Sequence, residues 1–252
     1  MGLDAIVLAG AKNNGRLSEI SDQDYEALIK LKGKTITEYL LDKLREVPLI
    51  DNIIVVGPNG LNKKNIDKFI PCQDSLLENL KLGLQTAESP YSLVFTSDIP
   101  LITVEAIQDF LAKCEGGKAA FYYPIIPKEF VEVSFPKSNR TYFSLNEGTF
   151  TGGNIFLVNG DVVLRLEELL DKILKWRKKP WKLAYLLGFK FIIKLLTGNL
   201  SIDLIEKEVY KLTGYIGKAI ISDYPEIGFD IDTPEDYNLI EKIYKGSDIK
   251  SN

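Results

Sequence analysis

Apolar and polar positions alternate along this chain in two distinct rhythms. Residues 3–8, apolar but for Asp4, form a short run of the kind a strand buried on both faces shows. Residues 37–45 then place their apolar side chains at helical spacing, and residues 53–56 (IIVV) read as a second buried strand. The pattern predicts helices over 63–69, 75–87 and 104–114, with a strand at 92–95 between the last two. Residues 119–123 suit another strand, and 142–145 and 154–158 two more, flanking a turn-rich stretch at 146–153. Helical spacing returns at 161–176 and 202–212, a short last strand is expected at 229–231, and a helix at Pro234. Residues 246–252 read as a disordered tail. Strand–helix alternation of this kind predicts an α/β protein, Rossmann-like, with a mainly parallel central sheet covered by helices on both faces.

The first strand runs straight into LAGAKNNGRL, residues 8–17. Glycines let backbone N–H groups close on an anion, and Lys12 and Arg16 add positive charge, so the loop suits a phosphate. An ordinary strand-to-helix turn uses the same residue types. A loop at a strand's carboxyl end is, however, where α/β sheets bind ligands. Asp98 follows the strand at 92–95 in the sequence TSDIP, at that same edge. It can serve as a turn or N-cap aspartate, or as one of the few carboxylates that hold Mg²⁺ beside a phosphate. In FDIDTPEDY, Asp230 and Asp232 are two apart on an extended segment and face the same way. Thr233, Pro234, Glu235 and Asp236 make a competent helix start, which leaves the preceding pair unexplained.

Composition narrows the chemistry. The 252 residues suffice for one α/β domain, alone or with an inserted subdomain, and they include no histidine. Ser-His-Asp and Cys-His catalysis and nearly all zinc sites are thereby excluded. Cys72 and Cys114 are too few for a disulfide framework. The net charge of −4 argues against a nucleic-acid partner. The opening residues lack a basic region ahead of the apolar run, and no stretch approaches the ~18 apolar residues of a membrane span, so a cytoplasmic location is expected.

Taken in order, LAGAKNNGR, GKTITEYLLDKL, SLLENLKLGL, TSDIP, TGGNIFLV and DIDTPEDY make residues 1–160 and 217–245 resemble the MobA-like NTP transferases, nucleotidyltransferases of the GT-A fold. The resemblance implies an NTP whose triphosphate lies on the first loop, through Leu8, Ala9, Gly10, Ala11, Lys12, Gly15 and Arg16. It implies base or ribose contacts at Ser75 and Asn79, with Ser97 also at the nucleotide. Thr151, Gly152, Gly153 and Asn154 would border the acceptor. Lys12, Arg16 and Asp98 would be the catalytic groups, with Mg²⁺ on Asp98 and an acid of the last motif, Asp232 in the best position and Asp230 beside it. Family members commonly carry a phosphate-binding lysine seven residues before the glycine of the GK motif; here that position is Glu26. Either Lys12, Lys30 or Arg16 takes the role, or Glu26 helps hold metal, or activity is reduced. Lys137 and Arg140 precede TGGN; Arg140 suits an acceptor phosphate, and a solvated loop suits both.

Residues 172–194 hold eight basic side chains and no acidic one, so the remainder of the chain carries 23 − 35 = −12. Over 176–196 the apolar positions take up most of a helix's circumference, with Lys182, Lys190 and Lys194 in one sector. Three readings fit: burial in a helical insertion at about 160–215, a homodimer interface, or peripheral contact with a membrane. The expectation is a single nucleotidyltransferase domain over 1–245, interrupted by that insertion. It would move an NMP group from an NTP to a phosphorylated small molecule, with Mg²⁺ as cofactor and release of pyrophosphate. Two alternatives stay open on the same features: a glycosyltransferase using a nucleotide-sugar, and a non-catalytic nucleotide-binding or membrane-associated protein.

Overall fold

The strand β1 (Leu3–Leu8) runs through the middle of the sheet, and Ala5, Ile6 and Val7 are wholly buried. The computed structural model describes residues 2–114, 119–136, 138–176 and 199–250. Parallel neighbours flank β1 on both sides, β4 (Ile50–Gly57) and β6 (Tyr91–Thr96), and β5 (Lys68–Pro71) extends the sheet parallel to β4. Beyond β6 lies β10 (Ile155–Asn159), antiparallel to both β6 and β7 (Phe121–Pro127). Strand β7 also receives β9 (Gly148–Gly152), antiparallel at its carboxyl end, and β11 (Gly217–Ile221), parallel. Strand β8 (Phe143–Leu145) closes on β9, and β2 (Lys30–Leu31) and β3 (Lys34–Thr35) form a separate two-stranded hairpin.

Period-two alternation sorts the core into two faces. Ala5, Val7, Ile53, Val55, Leu93 and Phe95 face α1 (Ile36–Glu46) and α3 (Val104–Lys113), through Leu40, Leu44, Ile107 and Phe110. Ile6, Ile54 and Val94 face the other way, toward α2 (Leu76–Thr86) and α5 (Gly160–Arg165), through Leu84 and Val163. Helix α1 begins with a capping box: Thr35 accepts from the Glu38 amide, and the Glu38 side chain accepts from the Thr35 amide. Helix α2 crosses β1 closely, since a Cβ on Gly83 would stand 2.5 Å from Ile6 Cγ2.

Several elements differ from the sequence pattern. Residues 63–67 form no helix; Asn65 has φ 66°, a left-handed conformation, and the chain then extends into the edge strand β5. The stretch 146–153 contains β9 as well as a turn, where Gly148 takes φ 147°. Residues 161–176 split into α5 and α6 (Glu167–Trp176), and α4 (Lys128–Ser134) follows β7. The expected last strand at 229–231 does not join the ladder; β11 is the last strand instead. The Ile231 amide donates to the Asp98 carbonyl at 3.0 Å. Helix α8 (Pro234–Lys250) continues past Lys245 into the residues expected to be disordered.

Within 160–215 the described residues form α5, α6 and α7 (Ile202–Thr213), and α7 ends on Gly214 in a left-handed cap. Helices α6 and α7 stand over β7, β8 and β11 around an apolar groove of about 340 Å³. Of the basic apolar segment at 176–196 only Trp176 is described, so the proposed insertion helix, homodimer face and membrane contact lie outside the described residues, as does Lys137. Among the described residues no helix is long and apolar enough to cross a membrane.

Candidate active site

The strand ends of β1 and β6 open on a cleft of about 720 Å³. Leu8, Gly10, Ala11, Lys12, Asn14 and Gly15 of the first loop form one wall. Thr96, Ser97 and Asp98 lie at the end of β6, and Asp74, Leu76 and Asn79 at the start of α2. Asn154, Glu26, Asp230 and Asp232 complete it.

The first loop is held from outside. Lys12 and Tyr25 form an isolated antiparallel bridge, and Lys12 Nζ donates to Tyr25 Oη at 2.6 Å, which with burial's opposing effect leaves the ammonium pKa raised. The Glu26 amide donates to the Ala11 carbonyl at 3.1 Å, and Asn13 Nδ2 donates to the carbonyls of Ser21 and Gln23. Gly10 lies against α2: a Cβ there would be 2.6 Å from Asn79 Nδ2 and 2.9 Å from Cys72 Cβ. Asn79 is buried and its amide spans the Gln73 backbone, accepting from its N–H at 2.6 Å and donating to its carbonyl at 3.1 Å. Asn79, expected at the base or ribose, is thus both a clamp on the turn ahead of α2 and part of the cleft wall.

Carboxylates dominate the floor. One oxygen each from Asp98, Asp230 and Asp232 lies within 4.8 Å of the others, and Asp98 Oδ1 is buried without a hydrogen-bond partner. Burial raises the Asp98 pKa, and the Asp232 charge raises it further. Burial likewise raises Asp230, with Asp98 adding and Arg140 opposing. Glu26 is pushed up to about 7, by burial first and then by the charges on Asp232 and Asp230. These acids share one desolvated place, where burial and like charge together raise Asp98, Asp230 and Glu26.

Arg140, expected at an acceptor phosphate or in a solvated loop, is buried against the acids of the last motif. Its side chain is 6% exposed and pairs with Asp230 Oδ1, with the Asp230 carbonyl at 2.5 Å and with Asp236 Oδ1 at 3.1 Å. The guanidinium also stacks over Phe229, 4.3 Å from the ring centroid. Asp236 ties the motif together, because its Oδ2 accepts from the Thr233 amide at 3.1 Å and the Thr233 hydroxyl at 2.7 Å. Neither contact was foreseen; the only signal for Asp236 was its place three residues after a capping threonine.

The remaining expected residues fall in three groups. Ala9 is wholly buried behind the loop, its amide donating to Val56. Arg16 is half exposed and pairs with Glu235 at 2.9 Å and with Glu19 at 3.5 Å, off the cleft wall. Ser75 caps α2 by accepting from the Glu78 amide at 3.4 Å, also off the wall. Thr151 and Gly152 end β9 and Gly153 leads on to Asn154, which alone of the four lines the cleft; its carbonyl accepts from the Thr96 amide at 3.1 Å. Gly152 leaves room for Tyr123, whose hydroxyl would be 1.8 Å from a Cβ there.

The cleft thus lies at the carboxyl edge of a mostly parallel α/β sheet, between a glycine-rich first loop and an acidic floor. Residues 5–179 match the MobA-like NTP transferase domain, and the chain belongs to that family. A hypothetical transferase from Thermus thermophilus is 37% identical over 94% of this chain and 100% of its own, with a TM-score of 0.84. The fold is shared with 2-C-methyl-D-erythritol 4-phosphate cytidylyltransferase from Thermus thermophilus, at 15% identity and a TM-score of 0.55 over 97% of this chain and 100% of that one. It is shared too with CMP:2-keto-3-deoxy-manno-octonic acid synthetase in complex with CTP, at 10% identity and a TM-score of 0.61 over 98% and 100%. No curated protein matches the chain.

Proposed function

We propose that the protein moves an NMP group from an NTP to a phosphorylated small molecule, releasing pyrophosphate, with Mg²⁺ as cofactor. The observation that carries this reading is the meeting of Asp98, Asp230 and Asp232 within 4.8 Å beside the first loop, with Asp98 Oδ1 buried and unpartnered. An all-oxygen, carboxylate-rich donor set fits a hard divalent cation. Bound there, Mg²⁺ supplies charge neutralisation for the triphosphate and the departing pyrophosphate.

The chain's own groups do the rest. Backbone amides of the first loop face the triphosphate, and Lys12, held in place by Tyr25, adds charge from the cleft wall. An acceptor phosphate oxygen attacks the α-phosphorus; its new P–O bond forms as the bond to the bridging oxygen breaks. The electron pair leaves with pyrophosphate. An acceptor phosphate is already ionised at neutral pH, so the step needs no base, in keeping with a chain without histidine. Alignment of the two phosphates is the work asked of the cleft.

Pyrophosphate release tests it, across the four NTPs and a panel of sugar and polyol phosphates with Mg²⁺. One NTP–acceptor pair should turn over, and Asp98→Asn should lower that rate by about a hundredfold or more while melting at or above the wild-type temperature. Near wild-type turnover by Asp98→Asn would contradict the reading. Sugar transfer from a nucleotide-sugar with no pyrophosphate release would instead support a glycosyltransferase.

A further inference from the structure

We infer that the acceptor carries an apolar chain beside its phosphate, and that this chain lies in the groove between the helices α6 and α7 and the strands β7 and β11. The inference rests on the proposed phosphorylated acceptor and narrows it to an amphipathic phosphomonoester.

The groove has the make-up of a site for an apolar ligand. Phe121 and Tyr123 line it from β7, Leu170 and Ile173 from α6, and Ile205 and Val209 from α7. Among the described residues, the two charged groups that line it, Glu206 and Lys218, pair with each other, and Glu206 also accepts from the Ala219 amide at 3.0 Å. No residue of α6 or α7 is buried, although a helix with an apolar side normally packs that side into a core. Tyr123 likewise stays 37% exposed. The volume of about 340 Å³ is that of a small-molecule pocket.

Continuity with the cleft decides the ligand. Tyr123 reaches from the groove to the segment that forms the cleft rim. A Cβ on Gly152 would stand 1.8 Å from its hydroxyl, and its ring stacks on Phe156 with the centroids 5.3 Å apart. Gly152 and Phe156 each lie two residues from Asn154, which lines the cleft and accepts from the amide of Thr96. Two residues of extended chain span about 7 Å, so groove and cleft meet within reach of one small molecule. The two differ in kind: the cleft presents charged groups, the groove hydrocarbon. A molecule with an ionised phosphate at one end and a hydrocarbon chain at the other satisfies both. A sugar phosphate would leave the apolar surface of the groove in water.

Calorimetry with Mg²⁺ present tests the inference, with ethyl, butyl and octyl phosphate below their micellar concentrations and with 1-octanol. Each buried methylene favours binding by up to about fourfold. Affinity should therefore rise about tenfold or more from ethyl to octyl phosphate, and 1-octanol should bind about tenfold more weakly than octyl phosphate. Ile205→Glu puts a charge in the groove and Ala219→Leu fills it. Each should bring octyl phosphate toward the ethyl phosphate value, with melting curves establishing that both variants are folded. Equal binding of ethyl and octyl phosphate by wild type would overturn the inference and leave the phosphorylated acceptor standing. So would 1-octanol binding as tightly as octyl phosphate, which would separate the groove from the cleft. A dimer in sedimentation that Ile205→Glu dissociates would give the groove to a second copy of the chain and overturn the inference as well. If no alkyl phosphate binds at all, the phosphorylated acceptor falls, and this inference with it.

Discussion

Arg140 shows how far a residue's role depends on partners that are remote in sequence. Its partner Asp230 lies 90 positions away, so its neighbours in the chain, a lysine, serines and an asparagine, suggested only a polar loop. Asp98, Asp230 and Asp232 were legible because each sits at a predicted strand end, within a few residues of a proline that ends the segment. Removing Arg140 should leave two carboxylates unpaired and largely buried, and Arg140→Met should cost about 3–5 kcal/mol in a urea titration. A variant of unchanged stability that had lost only acceptor affinity would return Arg140 to the acceptor. The raised acids give a second prediction. A group held higher in the folded chain than in the unfolded one takes up protons on folding, so its contribution weakens as pH rises. For Glu26 the window runs from 4.5 to about 7. In chelator the melting temperature should fall across that range, less so in Glu26→Gln. Carboxylates held low, such as Asp4 by Asn52 and the amides of Ser89 and Glu88 against the pull of burial, titrate below the window and do not offset the fall. A flat profile in wild type would contradict the electrostatic account of the floor.

At the scale of elements, the first loop and α2 act as one piece. Gly10 has no room for a side chain against Asn79 and Cys72, and Asn79 holds the turn that carries Asp74 and Ser75. Gly10→Ala should push the loop off α2 at a cost of about 1–3 kcal/mol and weaken nucleotide binding by about fivefold or more. Unchanged NTP affinity in a folded Gly10→Ala protein would remove the loop from the site. Strands with strong apolar runs, β1, β4 and β6, could be read directly, since burial on both faces leaves an unbroken apolar stretch at 5–8, 53–56 and 93–95. Weakly patterned elements could not. Strand β9 is rich in glycine and threonine and owes its conformation to pairing with β7 and β8. Residues 229–231 look like a strand, but Ile231 bonds to the Asp98 carbonyl outside any ladder. That hydrogen bond, with the contacts of Arg140 and Asp236, sets Asp230 and Asp232 beside Asp98, and no local pattern encodes them.

For the molecule as a whole, the parallel half of the sheet supplies the floor of the cleft, and the antiparallel strands beyond β6 bring Asn154 to its rim. The acidic floor should bind an NTP only together with a divalent cation. Melting temperatures measured with each NTP, with Mg²⁺ and with both test it most directly. At a ligand concentration about a hundredfold above its Kd, binding adds about 2.7 kcal/mol of stability, several degrees for a chain of this size. One NTP together with Mg²⁺ should raise the melting temperature of wild type well beyond the sum of the separate effects, and Asp98→Asn should abolish that excess. An equal stabilisation by NTP in chelator, or an excess that survives in Asp98→Asn, would contradict the account.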